Sequence, residues 1–391
     1  MNSETVDLIY LDPPFNSNAN YAAPIGSVAA GAEFKDTWTL SDIDVEWINL
    51  MEAREPSLYR VLLSAMRDSD KSYLAYMAVR LLEMRRLLKE TGSIYLHCDP
   101  TMSHYLKLVM DAIFGRDAFR REIVWNLQTS SGFKSQVNGF VRGHDVILYY
   151  GRAGFIFNKQ YLPHKEAYKA RFRKKDGDGR FYRDDRSGGR RQYLDQTRGV
   201  MLTDVWSDIM SFQQAATSAE IVGYPTQKPL ALLERIIAAS SNEGDVVLDP
   251  FAGCATTCVA AEKLDREWVG IDLSPKAAEL VNERLRGEMG DLFHHAYVTS
   301  RADIPPRTDL GNLQRYNSAF NKNFLYGEQS GDCAGCRTHF EKRHLEVDHI
   351  IARAKGGTDH LDNLQLLCGH CNAVKGDRGM EYLRIKLQLV A

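Results

Sequence analysis

Apolar positions run through the first two-thirds of the chain in two alternating rhythms. Val6 to Leu11 ("VDLIYL") is a short continuous apolar run closed by Asp12-Pro13-Pro14, which predicts a buried strand. Proline has no N–H to give to a ladder, so strand pairing must stop at Pro13. Over residues 70–91 the rhythm changes. Leu74, Met77, Leu81, Met84 and Leu88 recur every three or four residues, which predicts a helix capped by Asp70 and ended by Gly92. A strand "SIYLHC", a helix near 103–114, and strands "EIVWNL" and "DVILYY" follow. Beyond a polar interruption, "KPLALLERIIAAS" reads as a helix, "DVVLDPF" as a strand, "TTCVAAEKL" as a helix and "WVGIDL" as a strand. "SPKAAELVNERL" is a last helix, with Ser274 as N-cap and Pro275 at its first position. This alternation predicts an α/β fold, a doubly wound and mostly parallel sheet with helices on both faces. Residues 291–330 look irregular and read as a linker, and 331–391 as a separate small module.

Composition narrows the class. A chain of 391 residues, 44% hydrophobic and 26% charged, is large enough for two or three globular domains. No apolar run approaches membrane-spanning length and the first residues do not resemble a signal peptide, so a cytoplasmic protein without a membrane partner is expected. Protein partners are not indicated. The net charge of −2 selects no partner either, but its distribution does: residues 159–198 hold 13 Lys/Arg against 6 Asp/Glu. Aromatics lie among them ("YKARFRKKDGDGRFYRDDRSGGRRQY"). Interleaved Arg and Tyr/Phe suit a nucleic-acid surface, through phosphate neutralisation and base stacking, although a solvated loop reads the same way. Of seven cysteines, Cys98, Cys254 and Cys258 sit in apolar contexts as buried thiols. Cys333/Cys336 and Cys368/Cys371 are close pairs that suggest zinc.

In a doubly wound sheet, ligands bind beyond the C-terminal ends of the strands. Two predicted strands end in unusual loops, Asp12-Pro13-Pro14-Phe15 and "DPFAGCATT" from Asp249 to Thr257. Gly253 permits close backbone approach to a ligand, and the helix after it offers free amides. A third strand ends in "GID", which places Asp272 where a carboxylate accepts both hydroxyls of a ribose. A glycine loop plus this acid suggests an adenosine-containing cofactor. The loop lacks P-loop spacing and a Lys-Ser/Thr pair, so a sulfonium cofactor without phosphates fits better than a nucleoside triphosphate.

Taken together, residues 5–290 resemble the β-class amino-methyltransferases of DNA, which use S-adenosylmethionine. The DPPF motif comes first, then a recognition region, then the cofactor motifs. "GYPTQKPLALLERII" resembles the motif before the cofactor strand, and the resemblance puts Thr226 and Lys228 near the methionine carboxylate. Asp249, Phe251, Gly253 and Asp272 complete the implied cofactor site. "HDVILYYGR" and "DVWSDI" also look familial. A Rossmann-like methyltransferase sheet acting on double-stranded DNA follows as the expectation. The chemistry explains the opening loop. A base amino nitrogen is a poor nucleophile because its lone pair is delocalised into the ring. The Asp12 side chain and the Pro13 carbonyl are candidate acceptors that aim this lone pair, Pro13 and Pro14 hold them in place, and Phe15 offers a stacking face to an extruded base. By resemblance, the aspartate at the first motif position favours adenine N6 over cytosine N4. Two departures stand out. The family commonly has a second glycine where this chain has Ala255. It also usually carries a Gly-Asp-Asn-like turn ahead of the DPPF motif, whereas here eleven residues precede Asp12, which leaves open a shortened form.

The last module carries a second chemistry. The two Cys-x2-Cys pairs are spaced for tetrahedral zinc. Around them, "EVDHIIARAKGGTDHLDNLQLLCGHCNAVKGDR" resembles the HNH nucleases, a small ββα fold holding one divalent ion. The resemblance makes His349 the general base that activates water. Asp348 and Asn372 would be ligands of Mg²⁺ or a similar divalent ion, and Asn363 would orient the His349 loop. The family often has histidine where Asn372 stands. The four thiolates would bind Zn²⁺ structurally, in place of a core that so small a module cannot build. The expected organisation is therefore 1–155 catalytic, 156–222 target recognition, 223–290 cofactor binding, 291–330 linker and 331–391 nuclease. Three alternatives stay open: a zinc module that only binds DNA, a cytosine-N4 enzyme, and a shortened inactive form that binds DNA.

Overall fold

The computed structural model describes residues 1–17, 19–23, 27–30, 33–39, 48, 51–52, 54–127, 136, 138–184, 189–290, 298–301, 315–355 and 357–388. Its main sheet has seven strands: β1 (Val6–Leu11), β2 (Leu88–Cys98), β3 (Phe119–Asn126), β4 (His144–Gly151), β5 (Val205–Trp206), β6 (Val246–Asp249) and β7 (Glu267–Gly270). Their spatial order is β5-β3-β4-β2-β1-β6-β7. Strand β4 alone runs against its neighbours; the other pairings are parallel. All six residues of β1 are buried, as a central strand covered on both faces requires.

Side chains alternate across β1. Ile9 and Leu11 join one core with α1 (Pro56–Ser64), α2 (Asp68–Leu87) and α3 (Ser103–Phe114). Leu8 and Tyr10 face the other core, beside α4 (Leu230–Ser240) and α5 (Thr256–Lys263). Helix α6 (Pro275–Met289) follows β7. The basic segment holds a small antiparallel sheet of Lys174–Lys175, Phe181–Asp184 and Arg191–Tyr193.

Three local expectations are corrected. Helix α2 ends at Leu87, not near Gly92, because Leu88 pairs with Val6 in the parallel ladder and pairing overrides helical periodicity. Its N-cap position is Arg67, and Asp70 lies inside the first turn. Within the stretch read as irregular linker, Ala319–Glu328 forms a helix, α7, whose Leu325 is buried among the apolar residues of the last module. That module pairs β8 (Leu345–His349) with β9 (Leu364–Cys368) and adds α8 (Gly369–Lys375) and α9 (Met380–Lys386). Among the described residues, no helix is long and apolar enough to cross a membrane.

Candidate functional site

Strands β1 and β6 are parallel neighbours, so the loops leaving their C-terminal ends lie side by side although Asp12 and Asp249 are far apart in sequence. The result is one cavity of about 850 Å³. Asp12, Pro13, Pro14, Phe15, Thr226, Lys228, Asp249, Phe251, Gly253 and Asp272 all line it. The residues nominated from sequence for base and cofactor thus share a single chamber.

The geometry at the corner is specific. Lys228 Nζ bonds the Asp12 carboxylate through Oδ2 and the Thr226 carbonyl at 3.0 Å. The same ammonium stands 5.3 Å from the Phe15 ring centre. The other Asp12 oxygen, Oδ1, is buried without a hydrogen-bond partner. A buried acceptor left open in this way is costly unless a ligand supplies the donor. On the cofactor side, Asp272 accepts from the backbone N–H of Gly253 at 2.9 Å and of Ser274 at 2.8 Å. Its carboxylate is therefore fixed at the end of β7. Gly253 has φ +51°, and a β-carbon there would meet the Tyr224 ring at 3.0 Å, so this position suits glycine on two counts. Ala255 also takes a left-handed conformation, φ 61°, which accounts for the glycine usual at this point. Its methyl is fully buried and is not part of the cavity wall.

Asp249 is held inside the wall by Thr257 Oγ1 and by the Phe251 N–H at 3.0 Å. Burial pushes its carboxyl up to about 7, against those two donors, and the charges of Asp12 and Asp272 add to the rise. Sequence reasoning missed Asp36. It is buried, lines the cavity and accepts from the N–H groups of Asn16 and Ser17, both at 2.7 Å, and from Trp38 Nε1 at 3.0 Å. Asp36 thereby clamps the chain leaving Phe15. Only an Asp two residues before a Trp marks it in sequence, and that pattern carries no signal without the contact.

Charge in the recognition segment is partly satisfied internally. Lys174 pairs with Asp184 and Arg180 with Asp195. Arg180 also stands over Tyr193 at 4.3 Å, and Arg191 over Tyr182 at 4.7 Å.

In the last module, the sulfurs of Cys333, Cys336, Cys368 and Cys371 all lie within 4.8 Å of one another. Tetrahedral zinc with Zn–S bonds of about 2.3 Å needs sulfurs about 3.8 Å apart, so the quartet fits with a small contraction. Asn363 staples the loop after His349: its Nδ2 donates to the carbonyls of Ile351 and Thr358, and its Oδ1 accepts from Ile351 N–H, each at 2.9 Å. His349 Nε2 lies 2.9 Å from Asp359 Oδ1, and Arg353 grips the same carboxylate. Tyr316 lies tilted against His349, ring centres 4.7 Å apart; it lies outside the motif read from sequence, so spacing could not have found it. Asp348 and His349 share a cavity of about 350 Å³.

The pairing of Asp348 with Asn372 is not made. Asn372 Nδ2 donates to Glu346 at 2.6 Å and does not line that cavity. Asp348 Oδ2 is taken by Gln365 Nε2 and by Lys375 Nζ, each at 3.0 Å. Lys375 is fully buried and also bonds the His349 carbonyl at 2.8 Å. The two expected ligands therefore do not stand as a ready divalent-ion site.

Comparison with known proteins agrees with the two-part architecture. Residues 6–283 match the DNA methylase family, and the chain belongs to it. Residues 333–378 match the HNH endonuclease family, so a nuclease-type domain follows the methylase domain. The Type II methyltransferase M.EcaI of Enterobacter cloacae is 30% identical over 67% of this chain and 68% of its own length. The Type II methyltransferase M.BamHI of Bacillus amyloliquefaciens is 28% identical over 85% of this chain and 64% of its own length. The chain thus spans about two-thirds of both. The DNA adenine methyltransferase YhdJ of Escherichia coli (strain K12) is 26% identical over 80% of this chain and 85% of its own length.

Two outcomes follow from this geometry. A carboxyl raised to about 7 in the folded chain favours the protonated form, so its contribution to stability is full below about pH 4 and is lost as pH rises through 7. Asp249→Asn mimics the protonated acid. Urea unfolding of the variant should lack this loss, which amounts to a few kcal/mol at most, on the order expected for a shift of this size. Equal pH slopes in both proteins would refute the reading. For the cysteine quartet, metal analysis should find one zinc per chain, and chelation should unfold the last module while the seven-stranded sheet keeps its unfolding transition.

Proposed function

We propose that this chain is a DNA amino-methyltransferase that takes its methyl group from S-adenosylmethionine and acts on an exocyclic base nitrogen, adenine N6 being the favoured target. The observation that carries this is the single cavity in which the proline corner and the Gly253 loop face each other, with Asp12 Oδ1 buried and open. The Asp12 motif and the likeness to an adenine methyltransferase support the choice of adenine. When bound, S-adenosylmethionine supplies a methyl group on a positively charged sulfur. The chain's own residues do the rest. Asp12 Oδ1 accepts an N–H of the target amino group, which turns the nitrogen lone pair out of conjugation. Lys228 fixes the carboxylate, and the prolines remove the freedom of the loop that carries it. Phe15 stacks on the extruded base. Asp272 would hold the cofactor ribose and Thr226 its carboxylate; both residues line the cavity.

The 159–198 segment supplies the positive, aromatic surface for double-stranded DNA. The C-terminal domain is proposed as an endonuclease in which His349, braced by Asp359 and the Asn363-stapled loop, activates water. Asp348 and Asn372, the expected ligands of a divalent ion, are separately engaged, by Lys375 and Glu346 respectively. That separation favours a second reading, a zinc-stabilised module that binds DNA without cutting it.

Methyl-labelled S-adenosylmethionine and unmethylated genomic DNA test the first claim. Label should enter DNA, and Asp12→Ala should lower the rate about 10²- to 10³-fold with cofactor affinity retained. Normal cofactor binding with no label in any DNA would remove the claim. For the nuclease, plasmid nicking should disappear in His349→Ala; nicking that survives undiminished, or is absent from the unaltered chain, leaves the DNA-binding reading in place.

A further inference from the structure

His97 lies near the end of β2 and is completely buried. A buried histidine is most often a satisfied core residue, and this one is satisfied. Tyr10 Oη is 2.8 Å from Nδ1, and Asp145 Oδ2 is 3.2 Å from Nε2. Asp145 is gripped by Arg142, whose guanidinium also reaches Asp99. The Asp145 carboxylate can only accept, so Nε2 carries the proton, which leaves Nδ1 to receive the Tyr10 hydroxyl when the ring is neutral. Tyr10, His97 and Asp145 come from β1, β2 and β4 respectively, so the imidazole is tied to three strands and cannot turn without breaking a bond between them.

What separates His97 from an ordinary core residue is the face it presents. Its ring stacks on Phe15, with centres 5.8 Å apart and planes 28° from parallel. Tyr10 and Trp125 stand T-shaped to it, with ring centres 6.3 and 5.7 Å away. Phe15 is the aromatic of the catalytic corner, and it follows two prolines that fix the backbone but not the phenyl ring. Something must set that ring's plane, and among the described residues His97 is the ring stacked on it.

We propose that His97 is a positioning residue for methyl transfer: clamped by Tyr10 and Asp145, it fixes the plane of the Phe15 ring against which the extruded base stacks. The proposal rests on the methyltransferase reading and names a part of the same site. His97 touches neither base nor methyl group. It acts through Phe15, as an offset-stacked partner that is itself held by hydrogen bonds.

The test places 4-fluorophenylalanine at position 15 of the full chain and follows its fluorine resonance. His97→Gln keeps polar groups but removes the ring; Tyr10→Phe removes one hydroxyl. The unaltered chain should give one sharp resonance, and both variants should shift and broaden it. In methyl transfer, kcat should fall about 10- to 100-fold, while KM for DNA and Kd for S-adenosylmethionine change less than about threefold. A simple loss of fold would instead move all three together. An unshifted resonance with kcat within twofold in both variants would overturn the proposal, and Tyr10→Phe decides alone if His97→Gln fails to fold. A chain that transfers no methyl at all, yet whose resonance still responds to the substitutions, would mark failure of the methyltransferase reading and would remove this role with it.

Discussion

The structure depends on the parallel pairing of β1 with β6, in which Leu8 lies opposite Val247 and Ile9 opposite Leu248. This pairing fixes where the two chemical loops emerge. Strand β1 ends in prolines and β6 in an aspartate and a glycine-bearing turn, so neither strand can extend past the sheet edge. The loops must leave together, and the cavity is the space between them. Burial of β1 on both faces makes the register stiff: a slip by one residue would exchange Ile9 and Leu11 with Leu8 and Tyr10 across the sheet. The same slip would move Tyr10 away from His97. Core packing and site geometry are therefore set by one ladder.

The charges in the cavity follow one logic. Asp12, Asp36, Asp249 and Asp272 line it, with Arg80 and the buried ammonium of Lys228 among them. Four carboxylates against two cations cannot all ionise cheaply in one partly dry chamber. Lys228 balances Asp12, backbone amides hold Asp36 and Asp272, and Asp249 yields by taking up a proton near neutrality. A chamber with this surplus of acceptors repels phosphate and accommodates a positively charged ligand. A sulfonium group meets that condition. The reading made from the glycine loop's lack of P-loop features and the electrostatics of the chamber thus converge from different observations.

Much of this was legible in the sequence, and the reasons can be named. Strands and helices with strong periodicity lie where their patterns put them; Ser103–Phe114 and Leu230–Ser240 are examples. The motif residues stand out in sequence because unusual residues sit at strand ends, as at Asp12-Pro13-Pro14 and Gly253, and the structure gathers them around one cavity. What sequence could not give was any contact between distant segments. The helical rhythm runs past the end of α2 because Leu88 serves a helical rhythm and a strand pair equally well, and only the partner Val6 decides. Asp36 and His97 carry no local signature. Their importance lies in what they hold, Asn16 and Ser17 in one case and Phe15 in the other.

The nuclease-type module shows the opposite balance, with a strong motif and a less decided site. Its spacing assigns His349, Asn363 and the four cysteines to one ββα unit, and the structure gathers them into that unit. Yet spacing says nothing of which face of α8 a side chain meets. Asn372 reaches Glu346, while Lys375, one turn further on, reaches Asp348. A buried ammonium bonded to both the Asp348 carboxylate and the His349 carbonyl holds these two neighbours in fixed relation, which favours precise placement of the histidine. It also competes with any added cation for Asp348. The same contact that organises the histidine therefore raises the cost of recruiting a metal there.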